Sequence, residues 1–379
     1  MHRPRRAHTL RPAVEPPENL QHDVSLADQC TLGLGGPALH LAHVASEPGL
    51  AHALAWAGEQ RLPACVLGSG SNVVVHDDGF AGLVVRLGMR DASVTTDDTQ
   101  RVRVRVGAGE TWDAFVERAV AEGWAGIECL SGIPGRVGAT PLQNVGAYGQ
   151  EVFDTIVEVR VFDPRTMQPR VLPASACAPG YRTSAFKNPQ HPLHGCIVTS
   201  VTFELRRGPP ALPTYAELSR ALALRSSAPP SLAVVRETVL ALRADKSMLL
   251  RVGDPDARSV GSFFTNPVID LEQAERLARR AARDGLILSP DQMPRYPSGR
   301  SQVKLPAAWL IERSGFRKGY RRGSVGISSR HALALVHHGG GRTSELVALA
   351  DEIVSGVQST FGVALRWEAV PLGFPPRPG

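Results

Sequence analysis

Two glycine-rich segments carry the residue types that hold an anion or a flat ring system. In GSGSN, residues 68–72, glycines between two strand-like runs let backbone N–H groups turn toward an anion. The longer segment SGIPGRVGATPLQNVGAYGQE, residues 131–151, has five glycines and two prolines and is too apolar for a solvated linker. We interpret the two segments as loops that enclose one ligand, such as a pyrophosphate with an attached ring. A tight hairpin at 68–72 and a structural loop without a ligand at 131–151 are the alternatives.

Three polar side chains stand where a catalytic role would explain them. Arg182, in GYRTSAFKN, has a planar guanidinium suited to a carboxylate or a developing enolate. Ser262 follows a glycine and precedes two phenylalanines, a setting for a proton donor, although a capping serine ahead of packed rings is the alternative. Glu368, in RWEAV, places a carboxylate within a strand-like run, a setting in which a charged group needs a partner or has a function.

Composition argues against several classes of protein. The formal charge of +6 and the pI near 9.3 are compatible with nucleic-acid binding, but the basic residues are dispersed and aromatic residues are only 6% of the chain. The cysteines form no C-x-x-C pair, and no H-E-x-x-H or G-x-S-x-G motif occurs, so neither a metal site nor a serine hydrolase is indicated. No signal peptide or membrane span is predicted. We expect a cytoplasmic protein without nucleic-acid or membrane partners.

Short strand-like runs alternate with helical patterns from about residue 25 to 206, which indicates an α+β fold. RVRVRV, residues 101–106, alternates strictly and predicts a strand with one solvated face. Helical spacing predicts helices over 111–123, 232–246, 271–285 and 343–362, the first begun by Thr111 and closed by Gly123. The closing run VALRWEAVPLG is strand-like and is expected to return to the first domain. We predict a flexible extension at 1–24, a first domain at 25–229, a second domain at 230–362 and a returning segment at 363–379.

Together these segments resemble the UDP-N-acetylenolpyruvoylglucosamine reductase family, also called UDP-N-acetylmuramate dehydrogenases, from about residue 25 to 373. Seven motifs occur in the family's order: TLGLGGPA, GSGSNVVV, GIPGRVGATPLQNVGAYGQE, YRTSAFK, GSFFTNP, KLPAAWLIERSGFRKG and RWEAVPLG. The resemblance implies a two-lobed FAD-binding region of the vanillyl-alcohol-oxidase type and a separate α/β substrate-binding domain. It implies that NADPH and UDP-N-acetylglucosamine enolpyruvate use one cleft in turn, in peptidoglycan precursor synthesis, with no obligatory protein partner. An FAD-dependent oxidase of the same superfamily acting on another small substrate is the alternative.

The family pattern implies a role for each matching residue. Ser262 would donate the proton that completes the reduction, while Arg182 and Glu368 would hold the substrate carboxylate and stabilise an enol-like intermediate. PTYAEL, after an unshortened YRTSAFK segment, resembles the subclass whose longer loop covers the substrate. The implied substrate contacts come from Tyr181, Tyr215, Lys246 and Asn266. The implied FAD contacts come from Gly68, Ser69, Gly70, Ser71, Asn72, Gly132, Ile133, Pro134, Gly135, Gly138, Gln143, Asn144, Gly146, Ala147 and Tyr148.

A few positions depart from the family pattern. Cys30 stands where asparagine is usual and Thr140 where alanine is common, and both are expected to affect the packing of the flavin loops. Thr265 replaces a frequent lysine, which is expected to weaken phosphate binding, and His337 replaces a frequent asparagine at the end of a strand.

Lysine is rare among the 42 basic residues, which makes each one notable; the four lysines are at 187, 246, 304 and 318.

Overall fold

The computed structural model describes residues 14–225 and 229–375, so the predictions for 1–13, 226–228 and 376–379 lie outside the described residues. The α-helices are α1 Glu47–Glu59, α2 Trp112–Ala121, α3 Ala216–Ala223, α4 Leu232–Asp245, α5 Leu271–Arg283, α6 Ala307–Arg313 and α7 Thr343–Phe361. The strands are β1 Gln21–Ser25, β2 Pro37–Val44, β3 Ala64–Val66, β4 Val73–Val75, β5 Phe80–Leu87, β6 Ala92–Asp97, β7 Arg101–Gly107, β8 Trp124–Ala125, β9 Gly146–Ala147, β10 Gln150–Glu151, β11 Ile156–Asp163, β12 Gln168–Pro173, β13 Ile197–Arg207, β14 Val268–Asp270, β15 Tyr296–Pro297, β16 Gln302–Lys304, β17 Arg321–Arg322, β18 Val325–Ile327, β19 Leu335–His337 and β20 Val370–Leu372.

The first lobe is a sheet in the order β1-β2-β5-β3, in which β2, β5 and β3 run parallel and β1 is antiparallel to β2. Helix α1 covers this sheet and begins after Ser46, whose Oγ accepts the N–H of Gly49. Leu50 of α1 is buried against Leu83 of β5, because apolar side chains of a surface helix pack onto the sheet beneath it. Residues 21–24, within the predicted extension, belong to β1.

The second lobe is an antiparallel sheet in the order β12-β11-β13-β7-β6. In β7, Val102, Val104 and Val106 are fully buried while the arginines between them are exposed, which confirms the predicted alternating strand. Helix α2 packs on the buried face of this sheet. Its N-cap residue is Thr111, and Gly123 with φ +72° follows its last turn, so the helix predicted over 111–123 is confirmed.

The third region packs α5, α6 and α7 with two small sheets, β14-β16-β15 and β17-β18-β19, around one hydrophobic core. Strand β20 pairs in parallel with β4, the strand that directly follows the 68–72 turn. Helix α4 follows the predicted boundary at 229–230, and its buried Val235 and Val239 pack against Leu218 of α3.

Helices and sheets are both present in each half of the chain, which confirms the α+β class. The helices predicted over 232–246, 271–285 and 343–362 are confirmed as α4, α5 and α7. Within residues 14–225 and 229–375, none of the helices combines the length and the apolar character that crossing a membrane demands.

Candidate active site

The turn at 68–72 joins β3 to β4 and presents backbone donors. None of its backbone N–H groups has a hydrogen-bond acceptor among the described residues. Gly70 has φ +64°, and a Cβ on it would lie 2.4 Å from the carbonyl oxygen of Gln29, so the turn needs glycine there. The Arg86 guanidinium donates to the carbonyl oxygen of Gly68 at 3.0 Å. Because N–H groups that lack acceptors are costly to bury, this arrangement favours a bound anion.

The second glycine-rich loop contacts this turn directly. Ser71 Oγ donates to the carbonyl oxygen of Pro134 at 3.0 Å. Asn72 Nδ2 donates to Gln143 Oε1 at 2.6 Å and to the carbonyl oxygen of Glu368 at 3.3 Å. Both loops and the closing segment therefore meet at one place.

Two glycines of the second loop differ in what surrounds them. Gly138 donates to the carbonyl oxygen of Ala108 at 3.0 Å, and a Cβ on it would lie 2.5 Å from the Cβ of Ala108. Close packing of two backbones thus accounts for Gly138. Gly135 has φ +147°, and a Cβ there would meet only Ser71 Oγ, at 3.7 Å. The space beside Gly135 is open enough for a ligand to approach the bare backbone.

Asn144, an expected FAD contact, has protein partners for its side chain. It is buried with φ +44°. Its Nδ2 donates to Glu151 Oε2 at 2.7 Å and to the carbonyl oxygen of Gly180 at 3.2 Å, and its Oδ1 accepts the N–H of Phe153 at 3.3 Å. Since the amide is already hydrogen-bonded at both ends, we expect Asn144 to shape the loop rather than to reach a cofactor with its side chain.

Arg182 and Glu368 are in contact. Arg182 has a left-handed backbone with φ +53°, a conformation that costs a residue with a side chain some free energy. Its Nε lies 3.2 Å from Glu368 Oε1, and its Nη1 and Nη2 donate to the carbonyl oxygens of Asn144 and Gly146 at 3.3 and 2.5 Å. Burial raises the pKa of Glu368, and the positive charges of Arg182 and Lys187 oppose that rise. Two of the three expected catalytic side chains therefore come together.

Ser262 lies on the segment that runs beside Glu368. The carbonyl oxygen of Phe263 accepts the N–H of Glu368 at 2.8 Å, and Phe264 forms an antiparallel bridge with Trp367. The rings of Phe263 and Phe264 are buried, whereas Ser262 is only half-buried. The packed ring pair thus fixes the segment that carries Ser262 against the segment that carries Glu368.

Tyr181 and Asn266, two expected substrate contacts, are hydrogen-bonded to each other. Asn266 Nδ2 donates to the Tyr181 hydroxyl at 3.1 Å, and Asn266 Oδ1 accepts the N–H of Ala307 at 2.8 Å. Lys304 Nζ lies 4.4 Å from the centroid of the Tyr181 ring. Burial and the charge of Arg182 lower the pKa of Lys304. From the sequence, Lys304 was notable only as a rare lysine, and no role was predicted for it. Its contact with the Tyr181 ring places it at the site.

Tyr148, Tyr215 and Lys246 form a second cluster at the site. The rings of Tyr148 and Tyr215 meet edge to face with centroids 5.5 Å apart. Lys246 Nζ lies 5.7 Å from the centroid of Tyr148 and 2.6 Å from Glu217 Oε2. Burial raises the pKa of Tyr148 to about 12, so its phenol stays neutral near pH 7. The expected substrate contacts Tyr215 and Lys246 therefore adjoin the expected FAD contact Tyr148.

The departures from the family pattern lie at packing positions. Cys30 packs under the 68–72 turn, with its Sγ 2.8 Å from the place a Cβ of Gly70 would take, and burial raises its pKa to about 11. Thr140 and His337 are buried and hydrogen-bonded to backbone carbonyl groups. The backbone N–H of Thr265 donates to the carbonyl oxygen of Arg366, on the segment that carries Glu368, at 3.0 Å.

The donor set around the 68–72 turn fits the pyrophosphate of FAD. Arg86 and Arg136 lie beside the turn; burial lowers the pKa of each, and the nearby charges of Arg90 and Arg86 lower that of Arg136 further. Mutually repelling arginines next to backbone donors without acceptors favour a dianionic group between them. In the part of the chain described here, no cluster of three or more His, Cys, Asp or Glu side chains offers a metal site.

Comparison with known proteins covers both halves of the chain. A family model described as FAD binding domain matches residues 38–167. A second model, described as UDP-N-acetylenolpyruvoylglucosamine reductase, C-terminal domain, matches residues 254–371. The site residues on the glycine-rich loops thus fall in the first match, and Ser262 and Glu368 fall in the second.

Relatives of known name are similar along nearly the whole chain. The UDP-N-acetylenolpyruvoylglucosamine reductase of Thermobifida fusca is 49% identical over 93% of this chain and 97% of its own length, and that of Salinispora arenicola is 47% identical over 91% and 93%. The crystal structure of the Thermus caldophilus reductase matches with a TM-score of 0.61 and 26% identity, over 92% of this chain and 97% of that chain. These matches favour a reductase over the oxidase alternative. The chain belongs to the UDP-N-acetylenolpyruvoylglucosamine reductase family and carries its FAD binding domain.

Proposed function

We propose that this chain reduces the enolpyruvyl group of UDP-N-acetylglucosamine enolpyruvate to the lactyl ether of UDP-N-acetylmuramate, with NADPH as hydride donor. The observation that carries the proposal is the contact of Arg182 with Glu368 beside the Ser262 segment, next to two loops that fit FAD. Bound FAD would relay the hydride from NADPH to the substrate. The protein would supply binding, orientation and the proton.

The polar side chains suit the second half of this reaction. A hydride added to the terminal vinyl carbon leaves electron density at the carbon that bears the carboxylate, and the density spreads onto the carboxylate oxygens. Arg182, held by two backbone carbonyl oxygens and by its ion pair with Glu368, offers a rigid positive charge to those oxygens. Ser262 then gives its proton to the carbon. Glu368, whose pKa is raised by burial, is suited to share a proton with the serine and so ease its ionisation.

The two aromatic clusters suit the nucleotide end of the substrate. Lys246 would place a positive charge near the diphosphate, and Asn266 would offer the second N–H of its amide, because the first donates to the Tyr181 hydroxyl. Tyr215 is 47% exposed just before α3, so its ring can cover a bound nucleotide. Tyr181, which accepts from Asn266, would stand between these groups and Arg182, whose guanidinium carbon lies 5.5 Å from its ring centroid.

Ser262→Ala tests the proton-donor role. Reduction of bound flavin by NADPH needs no proton from this serine, so its rate is expected to stay near that of the wild type. Reoxidation of the reduced flavin by the enolpyruvyl substrate is expected to slow about 100-fold or more, the contribution typical of a positioned general acid. Ser46→Ala is the matched control, because Ser46 Oγ accepts the N–H of Gly49 at 3.2 Å at the start of α1, away from both glycine-rich loops. Equal slowing of both half-reactions in Ser262→Ala would contradict the role.

We also propose that the enzyme acts in the cytoplasm and needs no protein partner. Among the described residues all five cysteines are free, which suits a reducing compartment. The catalytic and nucleotide-binding side chains proposed above all come from one chain. If the activity per chain is unchanged on dilution, action without a protein partner is supported. If the activity falls with dilution while FAD stays bound, it is contradicted.

A further inference from the structure

Asp113, in the first turn of α2, binds two elements at once. Its Oδ1 accepts the backbone N–H of Gly132 at 2.6 Å. Its two carboxylate oxygens also accept from Nη1 and Nη2 of Arg236 on α4, at 2.6 and 3.0 Å. Arg236 is only 9% exposed, so α4 delivers a buried guanidinium to the carboxylate that holds the loop. Burial alone would raise the pKa of Asp113, but the bonds from Arg236 and Gly132 outweigh it and lower that pKa.

The loop that Asp113 holds has little freedom elsewhere. Gly132 has φ +71°, and a Cβ on it would lie 2.6 Å from a methyl carbon of Leu249. The Trp112 backbone N–H donates to the carbonyl oxygen of Gly135, and its indole N–H donates to the carbonyl oxygen of Leu130, both at 3.1 Å. Residues 130–135 are thus clamped to the first turn of α2. The backbone N–H of Gly135 has no acceptor among the described residues and stays available to a ligand.

We infer that Asp113 and Arg236 are positioning residues that set how the backbone of loop 131–137 meets the flavin. Neither residue is part of the catalytic set or of the expected FAD contacts. The bonds reach the ligand only through the Gly132 peptide, so their loss is expected to alter flavin affinity and the balance between oxidised and reduced flavin. The inference rests on the proposed function only in that FAD is taken to bind between the two loops.

A second ion pair of the same design provides a matched control. Arg160 Nε and Nη2 donate to the two oxygens of Glu47 at 2.7 and 2.8 Å, and Thr199 Oγ donates to the same carboxylate at 2.7 Å. This pair joins α1 to β11 and β13 and touches neither glycine-rich loop. Glu47→Gln therefore removes the same charge from the same kind of three-donor site without affecting the flavin loops.

The experiment measures FAD affinity, flavin midpoint potential and apoprotein melting temperature for the wild type, Asp113→Asn, Arg236→Gln and Glu47→Gln. In Asp113→Asn an NH2 group replaces one of the two oxygens that accept hydrogen bonds. The bond from the Gly132 N–H or at least one of the two bonds from Arg236 is therefore lost. We expect FAD affinity to fall about tenfold, about 1.4 kcal/mol. A tenfold preference for one redox form would appear as a shift of about 30 mV in midpoint potential. Glu47→Gln is expected to lower the melting temperature similarly while leaving affinity and potential unchanged.

Three outcomes decide the inference. Weaker FAD binding or a shifted potential in Asp113→Asn, with neither change in Glu47→Gln, supports it. Equal FAD affinity and potential in all folded variants overturns it and reduces the pair to a stabilising contact. If Asp113→Asn fails to fold, the same measurements on Arg236→Gln decide between these outcomes. In that variant Asp113 can still accept the N–H of Gly132, but Arg236 no longer holds its carboxylate in place. Absence of FAD binding by the wild type would instead refute the proposed function.

Discussion

Arg182→Lys tests how much the fixed guanidinium contributes to the reaction. Lysine keeps the positive charge and bears the same cost of the left-handed backbone, which glycine would relieve, so the change isolates the geometry of the donors. The guanidinium donates to the carbonyl oxygens of Asn144 and Gly146 and forms an ion pair with Glu368. One ammonium nitrogen on a flexible stem cannot reach all three in one position. We therefore expect the positive charge to be displaced from the substrate carboxylate.

The magnitude follows from the contact between the guanidinium and the developing negative charge, which a displaced ammonium group loses. Each hydrogen bond to a charged group is worth about 1.5–3 kcal/mol, and the side chain of Arg182 is 21% exposed, so water replaces part of the loss. A net loss of about 3 kcal/mol in the transition state corresponds to about a 100-fold slower step. That size matches the removal of one fixed donor from an oxyanion site, which costs about 100- to 1,000-fold.

The assay is anaerobic stopped-flow with absorbance detection. Flavin reduction by NADPH and flavin reoxidation by the enolpyruvyl substrate are measured separately for the wild type, Arg182→Lys and the control Arg160→Lys. We expect only reoxidation by Arg182→Lys to slow, while Arg160→Lys behaves as wild type because its ion pair with Glu47 lies away from the glycine-rich loops. If the flavin of Arg182→Lys were reoxidised at the wild-type rate, the proposal that the guanidinium stabilises the developing negative charge would be refuted.

Two further predictions concern the flavin turn and the buried carboxylate. In Gly70→Ala the new Cβ would lie 2.4 Å from a backbone oxygen, so we expect FAD affinity to fall at least about tenfold in a fluorescence titration; Gly253→Ala, which has positive φ and no clash, should bind FAD as wild type. Because burial raises the pKa of Glu368, its ionised form costs folding free energy, and that cost is absent in acid and grows as the pH rises through the shifted pKa. The melting temperature of Glu368→Gln relative to wild type is therefore expected to rise from acid toward neutral pH, whereas a constant difference would contradict the raised pKa.

Local signals in the sequence were enough for the elements that carry the site. Helix α2 was predictable because Thr111 and Gly123 mark its ends and its apolar residues recur at helical spacing. The strand β7 followed from strict alternation. The strand β20 followed from a strand-like run at the end of the sequence, and its partner β4 directly follows the 68–72 turn. That pairing explains why Glu368 lies next to Asn72.

Contacts between distant segments were not predictable from spacing. Asp113 and Arg236 are 123 residues apart, and each on its own looks like an ordinary charge on a helix. The left-handed backbone of Arg182 has no sequence signal, since only glycine announces positive φ reliably. Lys304 stood out by its rarity, but its place over the Tyr181 ring depends on how the third region packs against the second lobe. Such features follow from the tertiary packing of segments that are far apart in the sequence.

The measurement that tests the central claim most directly is an anaerobic visible spectrum of the purified protein during two additions. NADPH is added first, and UDP-N-acetylglucosamine enolpyruvate is added once the spectrum is stable. We predict a flavin band that bleaches with NADPH and returns in full with the enolpyruvyl substrate. A band that bleaches and does not return would contradict the proposal that the enolpyruvyl substrate accepts the hydride. A protein that shows no flavin band after incubation with FAD would contradict the interpretation that the two glycine-rich loops bind FAD.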